Sequence, residues 1–284
     1  YTVTKIRLNT FSGIPSGNEF TSVQFPKGVK EISLGYRASR LSEVTKLIIP
    51  GSVTDFDGQL QDMEKLETLT FEEGVKEISG GSVVRGCSRL KTIQLPSTLK
   101  KLSGTSTFGD ATALTTITLP DGIEITGIST FSGCTALQEI ELPASITKIN
   151  DYMFKDCTSL QKVTAKGTIT EIGKDAFNGD AKLVEIPDLS QVTTIGERAF
   201  NESAQLDTVN LHVDLHNVTS LGMYAFYNCT SLSGEIDLSG LDTIPDYAFT
   251  YDKNITSIKF RDTLKSIGKW AFIWAAAEKV ELPD

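Results

Sequence analysis

A phenylalanine that returns every 23 residues limits what this chain can fold into more than any other feature. It stands at Phe108, Phe131, Phe154, Phe177 and Phe200, and the pattern continues at Phe226, Phe249 and Phe272. Around Phe154 the full unit runs from Leu137 to Ser159, LQEIELPASITKINDYMFKDCTS, and begins again at Leu160. Its skeleton is L-x-x-I-x-L-P-x-x-I-x-x-I-x-x-x-x-F-x-x-C. One such unit has too little apolar surface to bury its own inward side, so stability must come from stacking each turn on its neighbours.

Within the unit, Leu137, Ile140 and Leu142 set up a short strand that Pro143 ends, because proline offers no N–H to a ladder. Ile146 and Ile149 fill the core from a second short segment. Phe154 and Cys157 stand three apart, the spacing of one face of a single helical turn. Leucines in an L-x-x-L-x-L frame at this period mark leucine-rich repeats. The expected fold is therefore α/β: a right-handed leucine-rich-repeat solenoid with repeats of about 23 residues, short parallel strands and short helical turns. Lead positions run Val44, Leu66, Leu90, Leu114, Leu137, Leu160, Leu183, Leu206, Leu232 and Ile255. That series predicts one domain over residues 1–284, with 1–19 as an atypical N-terminal cap and an incomplete last repeat around Val280 and Leu282.

Composition narrows the partners. A net charge of -9 and a pI near 4.9 oppose nucleic acid, which needs a basic footprint. No apolar run approaches the ~20 residues that span a bilayer, so no direct membrane insertion is expected of this chain. It starts at Tyr1, which fits either a trimmed chain or a mature secreted protein. Cys134, Cys157 and Cys229 each follow the repeat phenylalanine by three residues, and Cys87 follows Val84 likewise. Ala111, Ser203 and Ala275 fill the same position elsewhere, so the cysteines read as small buried side chains with free thiols rather than as disulfides.

The corner two residues after the proline carries Gly28, Ser52, Thr98, Gly122 and Ser145, with Gly74 where Glu72 replaces proline. Commoner leucine-rich repeats place asparagine at that corner. The missing asparagine, the proline, the second I-x-x-I and the A-F-x-x-C ending together resemble the BspA-like leucine-rich repeats of bacterial surface and secreted proteins, from Phe20 onward. The resemblance implies an extracellular or cell-surface-anchored chain, with any signal or anchor segment absent from it. It further implies adhesion to a protein or glycan, host-derived partners included, and no catalytic motif or cofactor. The expected function is a non-enzymatic recognition module, with a passive spacer or stalk of a larger surface protein as the alternative.

Four groups of residues could carry that recognition. Tyr224, Tyr247 and Trp270 each stand two residues before the repeat phenylalanine, flanked by Tyr227, Tyr251 and Trp274, and would form an aromatic row. Such rings either shield the C-terminal turns or contact a partner. Glu139, Glu141, Glu185, Glu235 and Asp237 on the outward strand rows would form an acidic patch for a basic partner or a cation, or else a solvated face. Threonines from Thr68 to Thr118 on the same rows suit sheet pairing. His212, Asp214 and His216 in HVDLH would share a face of an extended segment, a partial metal site without an evident fourth ligand, or simply a polar insertion.

Overall fold

The computed structural model describes residues 3–7, 20–33, 41–206, 215–277 and 279–282. They fall into two compact units, Tyr1–Ser145 and Ile146–Asp284. Both are parallel β-solenoids of stacked coils.

In the first unit, one face is a parallel sheet of Lys46–Ile49, Thr68–Phe71 and Thr92–Gln94. Leu47, Leu69 and Ile93 pair in register, so equivalent residues of successive coils lie over one another. Their side chains point inward and their neighbours outward, the alternation that a period of two requires. A second face carries Asp55–Phe56, Glu77–Ile78, Lys101–Leu102 and Glu124–Ile125. Lys5–Arg7 pairs with Glu31–Ser33 at the N-terminal side, so the described part of the expected cap does contribute a strand.

The second unit repeats the plan. Lys148–Ile149, Glu171–Ile172, Thr194–Ile195 and Ser220–Leu221 form one sheet, and Thr243–Ile244 pairs with Ser266–Ile267. Ser233–Leu238, Asn254–Phe260 and Lys279–Glu281 form another. Inside, Phe154, Phe177, Phe200, Phe226, Phe249 and Phe272 stack ring on ring, with centroids 5.1 to 5.5 Å apart and planes within 14°. Each such pair adds about 0.5–1.5 kcal/mol beyond the area it buries.

The expected helical turns are not there: no α-helix stands among the described residues. The third face of each coil is a run of overlapping β-turns. Around Phe226 the amides of Ala225, Tyr227, Cys229 and Leu232 donate to the carbonyls of Gly222, Tyr224, Phe226 and Cys229, each three residues back. The intervening amides leave the coil. Tyr224, Phe226 and Asn228 donate to Asp246, Ala248 and Thr250 of the next coil, as Tyr152, Phe154 and Asp156 do to Lys174, Ala176 and Asn178. All seven of these backbone donors around Phe226 are thereby satisfied, four within the coil and three between coils.

That division requires left-handed backbone at two places. Residues two before and two after the phenylalanine have φ near +60°, for example Tyr152 and Asp156 at 59° and 60°, the third position of type II turns. A helix would need right-handed dihedrals at both. Along the second of these rows aspartate and glycine alternate: Asp62, Gly86, Asp110, Gly133, Asp156, Gly179. The cause is steric, because each aspartate lies over the glycine of the following coil. A Cβ on Gly86 would stand 2.5 Å from Asp62 Oδ1, and one on Gly179 2.7 Å from Asp156 Oδ1.

Glu202 occupies the same row at φ 62° and is exposed. Asparagine tolerates left-handed backbone, so Glu202→Asn should stabilise the chain by up to about 1 kcal/mol in urea unfolding. In a helix the same change would destabilise it by a few tenths of a kcal/mol, so the sign of the shift checks the turn geometry.

Candidate functional site

Tyr224, Tyr247 and Trp270 share the left-handed row before the phenylalanine, each at φ 60°, and Tyr251 and Trp274 share the row after it, at 70° and 66°. In other coils the first row holds Ser82, Ser106, Ser129, Asp175 and Arg198, and Tyr152. Bulky residues rarely adopt this backbone, at a cost of roughly 1–2 kcal/mol each. The sequence shows the row, while its left-handed backbone is signalled only by the glycine and aspartate alternation on the companion row.

The rings meet. Tyr224 stacks on Tyr247 with centroids 4.5 Å apart, and Tyr247 meets Trp270 edge-on at 5.2 Å. Tyr224 meets Tyr227 at 5.5 Å, and Tyr227 meets Tyr251 at 5.4 Å, both edge-on. The structure therefore joins five of the six predicted aromatic residues in one chain of ring contacts. Desolvation and then the neighbouring Tyr224 hydroxyl hold the Tyr247 phenol above its ordinary range; desolvation and Tyr251 do the same for Tyr227. Lys269 Nζ lies 4.4 Å from the Trp270 ring centroid, while its backbone amide bonds Asp246 Oδ1 at 2.6 Å. Trp270 and Trp274 remain 51% and 64% exposed, with Tyr251 and Ile273 exposed as well.

The acidic residues are largely engaged. In the second unit Lys259 bonds Asp237 at 2.8 Å, Ser257 approaches Glu235 at 3.4 Å, and Lys162 pairs with Glu185 at 2.8 Å. Burial raises the Asp237 pKa, but hydrogen bonds from Lys259 and Ser239 outweigh it and the net shift is downward. In the first unit Glu139 and Glu141 are exposed on the strand Glu139–Leu142. Of HVDLH, His212 and Asp214 lie outside the described residues, and His216 is exposed. Among the described residues no group of three or more His, Cys, Asp or Glu side chains could hold a metal ion.

All four cysteines are free and buried. Burial pushes the Cys87 and Cys134 thiols up to about 12, and that of Cys229 well above its ordinary value, so they are poor nucleophiles. Their role is as donors: Cys87, Cys134 and Cys229 Sγ point to the carbonyls of Leu60, Phe108 and Phe200 at 3.1 to 3.2 Å, and Ser203 Oγ to that of Phe177 at 3.0 Å.

Two aspartates occupy the same buried ladder. Asp180 and Asp252 Oδ1 accept the amides of Cys157 and Cys229 at 2.8 Å, and their Oδ2 atoms have no partner among the described residues. Burial raises both pKa values well above the ordinary carboxyl value, and Asp156 adds to the shift at Asp180. Burial thus favours the neutral acid at both positions, in a ladder where Cys87, Cys134, Cys229 and Ser203 act as donors.

A profile of the BspA type leucine rich repeat region, with six copies, matches residues 1–108, 103–233 and 182–284. The chain belongs to the BspA-type leucine-rich repeat family. Repeats of this family are commonly used for protein interaction or surface display. Solved structures similar to this BspA-type chain include a leucine-rich repeat protein of T. pallidum, 21% identical over 73% of this chain and 79% of that one, with a TM-score of 0.44. A leucine-rich repeat protein of Bacteroides ovatus is 23% identical over 98% and 86%, TM-score 0.37. A leucine rich cell surface protein of Faecalibacterium prausnitzii is 21% identical over 92% and 83%, TM-score 0.47. No curated protein matches the sequence. No helix among the described residues is long and apolar enough to cross a membrane.

The burial of these two acids predicts a pH-dependent stability. A group whose folded pKa exceeds its unfolded value near 3.8 binds a proton in the folded state that the unfolded state has released, so stability falls as pH rises above about 4. Asp180→Asn with Asp252→Asn should match the parent melting temperature near pH 3.5, below both pKa values, and exceed it by several degrees at pH 7.5. Thermal melts of both chains across that pH range check the sign.

Proposed function

We propose that this chain is a non-enzymatic recognition module of a bacterial surface protein, and that the aromatic row from Tyr224 to Trp274 is its contact with a protein partner. The observation that carries the reading is large exposed aromatic side chains on backbone that disfavours them. Tyr224 and Tyr247 recover part of that cost by stacking. Trp270 and Trp274, each more than half exposed, recover less from packing within the chain. Rigid aromatic side chains of this kind dominate binding energy at protein contacts.

Ring orientation favours a protein over a glycan. A sugar stacks on open ring faces, whereas Tyr224 and Tyr247 cover one another and Lys269 lies over a face of Trp270. The row thus offers mainly ring edges, hydroxyls and one ammonium. We read residues 1–284 as a single repeat array, since the phenylalanine spacing runs without interruption from Phe108 to Phe200. A location outside the cell, with host matrix proteins among the partners, follows the family resemblance.

Trp270→Ser with Trp274→Ser should leave the melting temperature within about 2 °C of the parent. The same variant should lose at least tenfold in binding to immobilised matrix proteins or to cell surfaces, measured by surface plasmon resonance and cell adhesion. Loss of stability with unchanged binding would assign the rings to shielding the C-terminal coils instead.

A further inference from the structure

The first unit contains a cleft that its repeat pattern does not call for. Thr92–Gln94 pairs with Thr68–Phe71 on one edge, but the ladder to the next coil does not form on the other. At the equivalent step in the second unit Val163 donates to Glu185 at 2.8 Å, and Val184 and Glu185 donate to Gln161 at 2.9 and 3.0 Å. The counterparts, Ile93 to Thr116 and Thr115 or Thr116 to Lys91, are not made among the described residues. The same two coils are closed on their other faces: Lys101 and Leu102 pair with Glu124 and Ile125, and Phe108 and Asp110 donate to Thr130 and Ser132 at 2.9 and 2.8 Å.

The opening coincides with a shorter arc. From the lead residue to the core residue of the second strand the step is 12 residues in Leu66 to Ile78, Leu90 to Leu102 and Leu137 to Ile149, but 11 in Leu114 to Ile125. Both ends of this shorter arc are fixed by burial of Leu114 and by the pairing of Ile125. The buried Ile123 keeps the usual nine-residue step from Leu114, so the missing residue falls at the corner just beyond it.

The result is an open cleft of about 480 Å³, with Thr92, Gln94, Thr116 and Thr118 at its lips and Ile93, Leu95 and Ile117 among its floor residues. No lining side chain is ionisable, in a chain of net charge -9. Leu95 is half-buried, while its counterparts Phe71 and Leu119 are 2% and 6% exposed. Thr70 Oγ1 bonds Gln94 Oε1 at 2.9 Å, and the Gln94 amide nitrogen makes no bond among the described residues.

We infer that this cleft binds an extended, uncharged peptide segment, which adds its main chain to the unpaired edge of Thr92–Gln94. An exposed strand edge presents alternating N–H and C=O groups that another extended backbone satisfies best. Four residues of such a segment span about 13 Å, enough to run past Lys91, Ile93 and Leu95. Side chains alternate along it, so one apolar residue covers Leu95 while its neighbours meet the threonines and Gln94. A charged residue there would lose its hydration with no counter-charge in the lining. This site is independent of the aromatic row.

The test uses the full chain with backbone amides followed by NMR, and capped pentapeptides with valine, leucine or isoleucine at the centre and threonine elsewhere. The free chain should exchange the Ile93 amide at least tenfold faster than that of Leu69, whose strand is paired on both edges. Peptides at about 5 mM should slow Ile93 exchange and shift Ile93 and Ile117, and N-methylation at alternate residues should remove the effect. Inserting one threonine between Ile123 and Glu124 restores the 12-residue arc; it should protect Ile93 and abolish binding. If that variant does not fold, Thr92→Arg at the exposed lip must abolish binding in its place. Protection of Ile93 in the free chain overturns the inference, as does failure of every peptide to bind. Equal binding by the N-methylated peptides, or binding that survives the cleft-closing change, overturns it too.

Discussion

Everything in this structure depends on how the turn face uses its amides. The N–H groups at the phenylalanine and two residues to either side of it point along the stack, while the amides between them close turns within their own coil. A helical turn would direct its N–H groups back along its own axis and leave this face without bonds from one coil to the next. Two left-handed residues per coil redirect every second donor outward. The spacing of the coils follows from these bonds, and with it the 5.1 to 5.5 Å separation of the buried rings.

The same arrangement sets the chemistry of the buried ladder three residues after the phenylalanine. Its side chain lies near the phenylalanine carbonyl of the preceding coil, and a small donor satisfies that site. Cysteine and serine serve as donors, which accounts for cysteine usage without disulfides or thiol reactivity. Asp180 and Asp252 stand in the same ladder, where burial raises their pKa values and favours the protonated form.

Much of this was legible in the sequence, and the exceptions have physical causes. The inward Leu137, Ile140 and Leu142, the strand-ending Pro143 and the buried Phe154 all follow from period and polarity. The turn face was not legible from Phe154 and Cys157, because three-residue spacing is common to a helical turn and to overlapping β-turns. Asp62, Gly86, Asp110 and Gly133 held the discriminating information, since only left-handed backbone asks for glycine in one coil and aspartate in the next. The acidic patch was visible as a composition. That Lys259 engages Asp237 depends on the pairing register, which fixes opposite residues only once the strands are laid side by side.

A repeat protein has no deep central pocket in which to build a site, so its sites must arise as departures from the repeat that leave the core intact. This chain shows two such departures. At Tyr224, Tyr247 and Trp270 the departure is in side-chain type: the row normally takes small or polar residues, and the backbone it strains lies outside the core. Between Leu114 and Ile125 the departure is in chain length: the coil is one residue shorter, and one face is open while the other two hold the coils together. Each is tolerated because a coil is bonded to its neighbour on three separate faces, and losing the ladder on one leaves the ring stack and the turn-face bonds to carry the fold. A solenoid can therefore acquire an exposed aromatic row or an unpaired strand edge at the cost of local contacts alone.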